Sequence, residues 1–309
     1  MKPEKLLPMK DLEIFGVYKK GQFTIPEKEV DALRNGRMTD IIELADLKGK
    51  DLYIEKLPAR LSIVRGEDGN PSLRIDPVYR EPNTHPKLDE NERQRLIRQE
   101  LANIKKSYLD KDGNIQTEII EYDPKTKQFL SYDPRAIKAP ERVNQEELSP
   151  QQKKKYKEGE TVELADGTEF QLSTSAPEGI RSNRTGLIVS VLLDGGLSYL
   201  LFTGISKLLG KKSSEQKAYN KGYLDAIKQA QTQFEARIAK NSNDKDAVKG
   251  LNRVNQEIFK ILVDPSLPQT IKQNFELDKA KKLNSIDLAE SKNPLSNQSE
   301  EQNGTGRRL

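Results

Sequence analysis

Segments in which apolar and polar residues alternate occur in three places in the first 180 residues of the chain. They are RLSIVRGEDGNPSLRIDPVY, SYLDKDGNIQTEIIEYDPKTKQFLSYD and TVELADGTEFQLS. Each alternates around turn residues, with Asp-Gly at 112–113 and again at 166–167. Asp-Gly between alternating apolar residues is the strongest short-range signal of a β-hairpin. The pattern therefore predicts a two-stranded hairpin, a three-stranded meander and a second hairpin, all antiparallel.

Short helices are predicted where a proline is followed eight to ten residues later by a glycine, at 8–16, 26–36 and 150–159. Proline suits the first helical turn because its missing N–H would be unsatisfied there, and glycine suits the left-handed residue that ends a helix. A fourth helix is predicted over 89–106. Its inner face would contain Leu96, Ile97, Leu101 and Ile104. Capping boxes are predicted for Thr24 with Glu27, Asp89 with Glu92, and Ser149 with Gln152.

One long apolar stretch, residues 187–209, interrupts the charged sequence. At ~1.5 Å per residue a helix of this length could cross a hydrocarbon core of ~30 Å. Asp194 lies near its middle, where a carboxylate costs ~2.5–3.5 kcal/mol, while each leucine returns only ~0.3–0.6 kcal/mol. Insertion is therefore marginal. The break at residues 194–196 favours two shorter apolar helices, 187–194 and 197–209, packed as a hairpin.

Three roles for this stretch stay open at the level of sequence. The first is a helical hairpin buried against the protein or a partner. The second is a single transmembrane anchor in which Asp194 is paired within an oligomer. The third is peripheral insertion, helped by basic flanks on an anionic leaflet. The predicted partner or membrane contacts are Leu192, Leu193, Asp194, Leu197, Tyr199, Leu200, Leu201 and Phe202.

The predicted fold class is α+β, with small antiparallel hairpins and a meander, short helices, an apolar helical segment, an α-helical hairpin and a disordered C-terminal tail. The predicted boundaries are an α+β domain at 1–145, a short helix plus hairpin at 146–180, the apolar segment at 181–212, the helical hairpin at 213–264 and the mostly disordered tail at 265–309. The tail cannot bury enough apolar surface to offset its ordering entropy.

The amino-acid composition limits the size of the hydrophobic core and indicates the cellular compartment. The chain is 34% hydrophobic and 32% charged, against the usual ~45–50% apolar content. We therefore expect small modules joined by solvated segments. Cysteine is absent, which fits a reducing compartment, and the N-terminus shows no secretory signal pattern. The expected location is the cytoplasm, with association at the inner membrane as the alternative.

Charge and candidate chemistry narrow the function further. Lys153, Lys154, Lys155 and Lys157 surround Tyr156 on a predicted helix and are candidate phosphate contacts, with a solvated helix face as the alternative. His85 is the only histidine, so a His-based metal site lacks partners. The sequence contains neither the Gly-x4-Gly-Lys-Ser/Thr motif nor a Gly-x-Gly-x-x-Gly motif after a predicted strand, the two glycine-rich motifs that bind phosphates. We predict no catalytic residue, no cofactor and no metal site, and hence no enzymatic activity.

Four segments carry a resemblance to a known family: LPMKDLEIFGVYKKGQ, YDPKTKQFLSYDPR, YKEGETVELADGTEFQ and RSNRTGLIVSVLLDGGLSYLL. Over about residues 5–210 the chain resembles an uncharacterised Bacteroidota family, domain of unknown function 4099. Members of that family look like cargo of conjugative and other integrative elements, beside DNA-processing and mobilisation genes. The resemblance implies a mobile-DNA setting, and it assigns no activity and no site residue.

The predicted function is a non-enzymatic accessory or scaffold protein of such an element, which binds a protein partner or itself through 187–209 and the C-terminal hairpin. One alternative is a nucleic-acid-binding accessory factor that uses the basic helices. The other is a membrane-anchored component of the DNA-transfer apparatus, with 187–209 as the membrane contact.

Overall fold

The computed structural model describes residues 7–48, 53–65, 69–193, 196–210, 219–265, 267–270, 272–273 and 275. Three successive units and a C-terminal helical hairpin make up the described fold, and the first unit contains seven elements. In chain order these are α1 (Met9–Ile14), β1 (Tyr18–Lys19), β2 (Gln22–Phe23), α2 (Glu27–Arg34), β3 (Ile42–Lys48), β4 (Tyr53–Arg65) and β5 (Pro71–Pro77). β1 and β2 form a small hairpin, and β3, β4 and β5 form an antiparallel sheet in that order. Leu12, Val17, Leu33, Leu44 and Leu61 are buried in its core.

The second unit contains α3 (Glu90–Ile97) and the meander β6 (Ile104–Leu109), β7 (Ile115–Asp123) and β8 (Gln128–Tyr132). The predicted meander is confirmed. The predicted helix over 89–106 is too long, because Gln99 takes a left-handed conformation and Ile104 pairs with Ile120 in the sheet. The four residues of its predicted inner face nevertheless pack in one cluster, from a helix, a loop and a strand.

The third unit consists of β9 (Arg142–Val143), β10 (Glu146–Glu147), α4 (Pro150–Lys157), β11 (Val162–Glu163), β12 (Glu169–Leu172), β13 (Ile180–Ser182), β14 (Gly186–Leu193) and β15 (Gly196–Thr203). β11, β12 and β13 form one sheet, and the other has the order β10-β9-β14-β15. The β10-β9-β14-β15 sheet combines strands from three of the predicted domains, 1–145, 146–180 and 181–212. The capping boxes of α3 and α4 are confirmed. That of α2 is wrong, because the Thr24 hydroxyl donates to the Gly16 carbonyl instead.

The apolar stretch is a β-hairpin, so the two predicted helices at 187–194 and 197–209 are wrong. Leu187 and Val189 of β14 pack against the β11-β12-β13 sheet, while Ile188 packs against the C-terminal helices. A strand covered on both faces is apolar at consecutive positions and cannot be distinguished from a buried helix by periodicity. Among the described residues, no helix has both the length and the apolar character needed to cross a membrane.

The C-terminal helical hairpin is confirmed as α5 (Lys221–Lys240) and α6 (Lys245–Val263). Its core includes Tyr223, Ile227, Phe234, Val254 and Ile261, whereas Val248 of α6 is exposed. Phe275 belongs to the predicted tail but is buried in the same core. Residues 276–309 of that tail lie outside the described residues.

Candidate binding cleft at the edge of strand β15

Strand β15 lies at the edge of its sheet. It pairs with β14 from Gly186 opposite Thr203 to Leu193 opposite Gly196, and no described strand pairs with its other side. Its two faces are covered, because Tyr199 and Leu201 pack against the α5–α6 hairpin and Phe202 packs against the third-unit core. Only the edge of this strand is therefore open.

The hydrogen bonds of β14 show which backbone groups of β15 face that open edge. The Ile188 carbonyl accepts from the Asn144 amide at 2.7 Å, and the Ile188 amide donates to the Asn144 side chain at 3.2 Å. Ile188 therefore points both groups away from β15. Because the direction alternates along a strand, its partner Leu201 points outward as well.

The same alternation turns the amides and carbonyls of Tyr199 and Thr203 outward, and those of Leu200 and Phe202 toward β14. Within the described part of the chain, the backbone groups of Tyr199, Leu201 and Thr203 bond to no other backbone segment. Three N–H donors and three C=O acceptors thus lie in a row along the edge.

This edge forms one wall of a cleft of about 550 Å³, lined by residues 199–203. α2 and the loop after it provide a second wall, and α6 provides a third through Gly250, Arg253, Gln256 and Lys260. The volume lies within the ~300–1,000 Å³ range of ligand-binding pockets. The cleft thus combines a free strand edge with polar helix surfaces.

Three cations of the cleft are exposed, and the carboxylates that pair with them are buried. Lys28 bonds Glu29, Arg253 bonds Asp31 and Lys260 bonds Glu257. The three cationic side chains are 72%, 49% and 63% exposed, against 6%, 11% and 7% for the three carboxylates. Lysine and arginine are donors only, with three and five N–H groups each. The side chains at these three pairs therefore present donors to a ligand.

The remaining cleft charges are already engaged with one another or with neighbours. Arg37 pairs with Glu178 at 2.9 Å and lies over the Phe202 ring, 5.7 Å from its centroid. Asp40 accepts from Lys125 at 2.7 Å. The lining contains four cations and five carboxylates, so it has no large formal excess of either sign.

Asp31 connects α2 to α6 at one end of the cleft. Its carboxylate accepts from Lys249 at 2.9 Å and from Arg253. Burial alone would raise the pKa of Asp31, but the hydrogen bonds and charges of Lys249 and Arg253 outweigh burial and lower it. Asp31 is therefore ionised at neutral pH and ties the first unit to the C-terminal hairpin.

A second group of charged residues lies where the three units meet. Arg60 of β4 donates to Asp123 of β7 at 2.8 Å and to the Ser175 carbonyl, also at 2.8 Å. Its Nε donates to the Thr39 carbonyl at 2.7 Å. The Arg60 and Asp123 side chains are 0% exposed. We call these residues the buried joint. Because solvent and ligands cannot reach the pair, its role is to hold the units together.

Glu121 and Arg181 extend the buried joint. The Glu121 carboxylate accepts from the Ser173 hydroxyl at 3.0 Å and from the Ser175 amide at 3.1 Å. Burial raises the pKa of Glu121, and burial lowers the pKa of Arg181, which bonds both serine hydroxyls. The two shifts are of the sign expected for charges removed from water.

The structure places four of the predicted contact residues, Tyr199, Leu200, Leu201 and Phe202, in the wall of the cleft. The backbones of Leu192, Leu193 and Leu197 belong to the β-hairpin, but their side chains lie outside what the structure describes. Asp194, whose carboxylate makes membrane insertion of the apolar stretch marginal, also lies outside the described residues.

The predicted phosphate contacts lie on α4, away from the lining of the cleft. Lys153 pairs with Glu141 and is half-buried, as is Lys157. Lys154 and Lys155 are exposed and form no ion pair with any described residue. His85, elsewhere, is half-buried edge-on to Phe129, and the described residues contain no group of three potential metal ligands.

Several residues that build the site were not identified from sequence, namely Lys28, Asp31, Arg253, Gln256 and Lys260. The last three recur on α6 at the spacing of one helix face. This spacing is the only sequence signal for the site, and it is weak because a polar helix face is ordinarily solvated. The position of β15 next to α6 is what indicates that these three residues line a cleft.

Residues 3–87 match the family model described as Protein of unknown function (DUF4099). No curated protein and no solved structure matches the chain. The matched part comprises the first unit and its continuation to residue 87, so it contributes α2 to the cleft but neither β15 nor α6. The resemblance over residues 88–210 stays a prediction.

Proposed function

We propose that this protein is a non-enzymatic accessory protein that binds a protein partner in the cleft between α2, β15 and α6. The observation that carries the proposal is the row of backbone groups on β15, inside that cleft, that bond to no other described backbone segment. Natural proteins usually protect the edges of their sheets because a free edge is a template for pairing. Here the edge is left open between walls that would align a bound chain.

The chemistry of the lining argues against general acid catalysis by Asp31. Its buried carboxylates are bound to lysine and arginine side chains, and the pKa of Asp31 is lowered. General acid catalysis needs a carboxyl group that still holds its proton near neutral pH. Asp31 does not meet that requirement.

The setting of a conjugative or integrative mobile element in Bacteroidota, and a cytoplasmic location, belong to the same proposal. The setting is supported by the resemblance of the sequence, and a cysteine-free chain fits a reducing compartment. In this setting the protein would bring a partner to the transfer machinery without chemistry of its own.

Site-specific photo-crosslinking in the native host tests the proposal. Benzoylphenylalanine is introduced at Gln256, which lines the cleft, and in a matched variant at Phe259, which is exposed on the same helix outside it. We expect a discrete protein adduct at position 256 and none at position 259. Equal adducts at both positions, or an adduct that nuclease removes, would contradict a protein-binding cleft.

A second candidate function, nucleic-acid binding, is favoured only by the exposed Lys154 and Lys155 on α4. If it holds, replacing both with alanine will reduce affinity for duplex DNA and flatten its dependence on salt, because phosphate contacts release counterions. Unchanged affinity and salt dependence would remove this candidate.

A further inference from the structure

We propose that the cleft accepts an extended acidic segment of a partner protein, which adds to β15 as a fifth, antiparallel strand. This inference rests on the proposed function and specifies its ligand. The outward groups of Tyr199, Leu201 and Thr203 recur every second residue, a repeat of about 6.6–6.8 Å along a strand. An extended chain has the same repeat, so one short segment can bond all three residues.

The side-chain pattern of the segment follows from the faces of β15. Tyr199 and Leu201 turn their side chains toward the α5–α6 hairpin. In an antiparallel pair, directly opposite residues point to the same face. The residues opposite Tyr199 and Leu201 therefore face the α6 side, where Arg253, Gln256 and Lys260 line the cleft. Aspartate and glutamate, which are acceptors only when ionised, complement the exposed donors of Arg253 and Lys260.

The alternate residues of the segment point to the other face. That face carries Phe202, whose ring lies beneath the Arg37 guanidinium. Apolar side chains suit contact with the Phe202 ring. The ligand is thus an extended chain in which acidic and apolar residues alternate.

Charge also distinguishes this ligand from a second copy of β15. Residues 196–203, GLSYLLFT, contain no carboxylate. Edge-to-edge pairing of two copies would leave the donors of Arg253 and Lys260 without new acceptors. An acidic partner segment satisfies both the backbone and the side-chain donors.

The test uses the full-length chain and a fluorescein-labelled decapeptide of alternating valine and glutamate, with fluorescence anisotropy as the readout. Two isomers carry N-methyl groups on either the glutamates or the valines. In antiparallel addition the glutamate amides point to β15. Methylating them should weaken binding by at least about tenfold, while methylating the valines should change it by less than about twofold. Equal affinities of the two isomers would overturn strand addition.

Charge variants provide the second arm. Arg253→Gln with Lys260→Gln should weaken the unmodified peptide by about tenfold, whereas Lys154→Gln with Lys155→Gln, which removes the same charge from α4, should leave it unchanged. A valine–lysine decapeptide should not bind. Equal loss in both double variants, or binding of the lysine peptide, would overturn the acidic ligand.

The other occupants give distinct results. A dimer of the full chain that dissociates as peptide binds would assign the edge to a second copy. Binding that appears only after removal of residues 276–309 would assign it to that segment. Either result overturns the proposal. A discrete adduct at Gln256 with equal binding of the two isomers would keep the proposed function and reject strand addition. No adduct at Gln256 together with no binding of the peptide would reject both.

Discussion

The buried joint and the cleft both bring together charged side chains that are distant in sequence, yet they differ in access. In the buried joint, Arg60 and Asp123 are enclosed and bond each other. In the cleft, the carboxylates of Glu29, Asp31 and Glu257 are buried, but the cations that bond them are about half exposed or more. Enclosed charge fixes how the units pack, whereas partly exposed charge leaves N–H donors accessible at the surface.

The largest effect is expected at the buried joint. Arg60→Met leaves Asp123 buried without its cation, so we expect a loss of about 3–5 kcal/mol in the free energy of unfolding, measured by urea denaturation. Adding Asp123→Leu removes the uncompensated charge and should restore most of this loss. A loss below about 1 kcal/mol in the single variant would contradict a structural role for the pair.

A smaller effect is expected at Asp31, because Lys249 and Arg253 are about half exposed. Asp31→Asn should cost about 1 kcal/mol at pH 7. The folded pKa of Asp31 lies below 3.8, so its contribution is present above that value and is lost as pH falls through the folded pKa.

Urea denaturation between pH 2.5 and about 7 measures this contribution, with exposed Asp112→Asn as the control. The Asp31 variant should lose less stability on acidification than the parent protein. Parallel curves for the parent and the Asp31→Asn variant would refute the ionic link between α2 and α6.

The smallest effect is expected for Glu121→Gln, which mimics the protonated carboxyl group. Burial raises the folded pKa of Glu121 above its ordinary 4.5. The unfolded chain therefore releases this proton first, and stability falls as pH rises from about 4.5 toward the folded pKa. The Glu121→Gln substitution should change the free energy of unfolding by less than about 1 kcal/mol at pH 4, and it should remove part of the loss of stability above that pH. An unchanged pH profile would contradict the raised pKa.

Local signals allowed much of the fold to be predicted from sequence. Asp-Gly turns identified the hairpins, and Ser149 with Gln152 marked the start of α4. The α5–α6 hairpin followed from its apolar spacing. These features depend on residues close together in the chain, so short-range physics determines them.

What could not be predicted depends on distant contacts. Ile188 faces the α5–α6 hairpin while Leu187 faces the other sheet, and this double burial made a strand resemble a helix. The pairing of Arg60 with Asp123 spans 63 positions, and that of Asp31 with Arg253 spans 222. No local pattern identifies such partners, so the cleft became visible only once the chain was folded.

Amide hydrogen exchange along β15, followed by NMR, tests the free edge most directly. We predict that the amides of Tyr199, Leu201 and Thr203 exchange at least about tenfold faster than those of Leu200 and Phe202, which bond β14. Addition of the valine–glutamate peptide should then slow the three outward amides selectively. Equal protection of all five amides in the free protein would contradict the account.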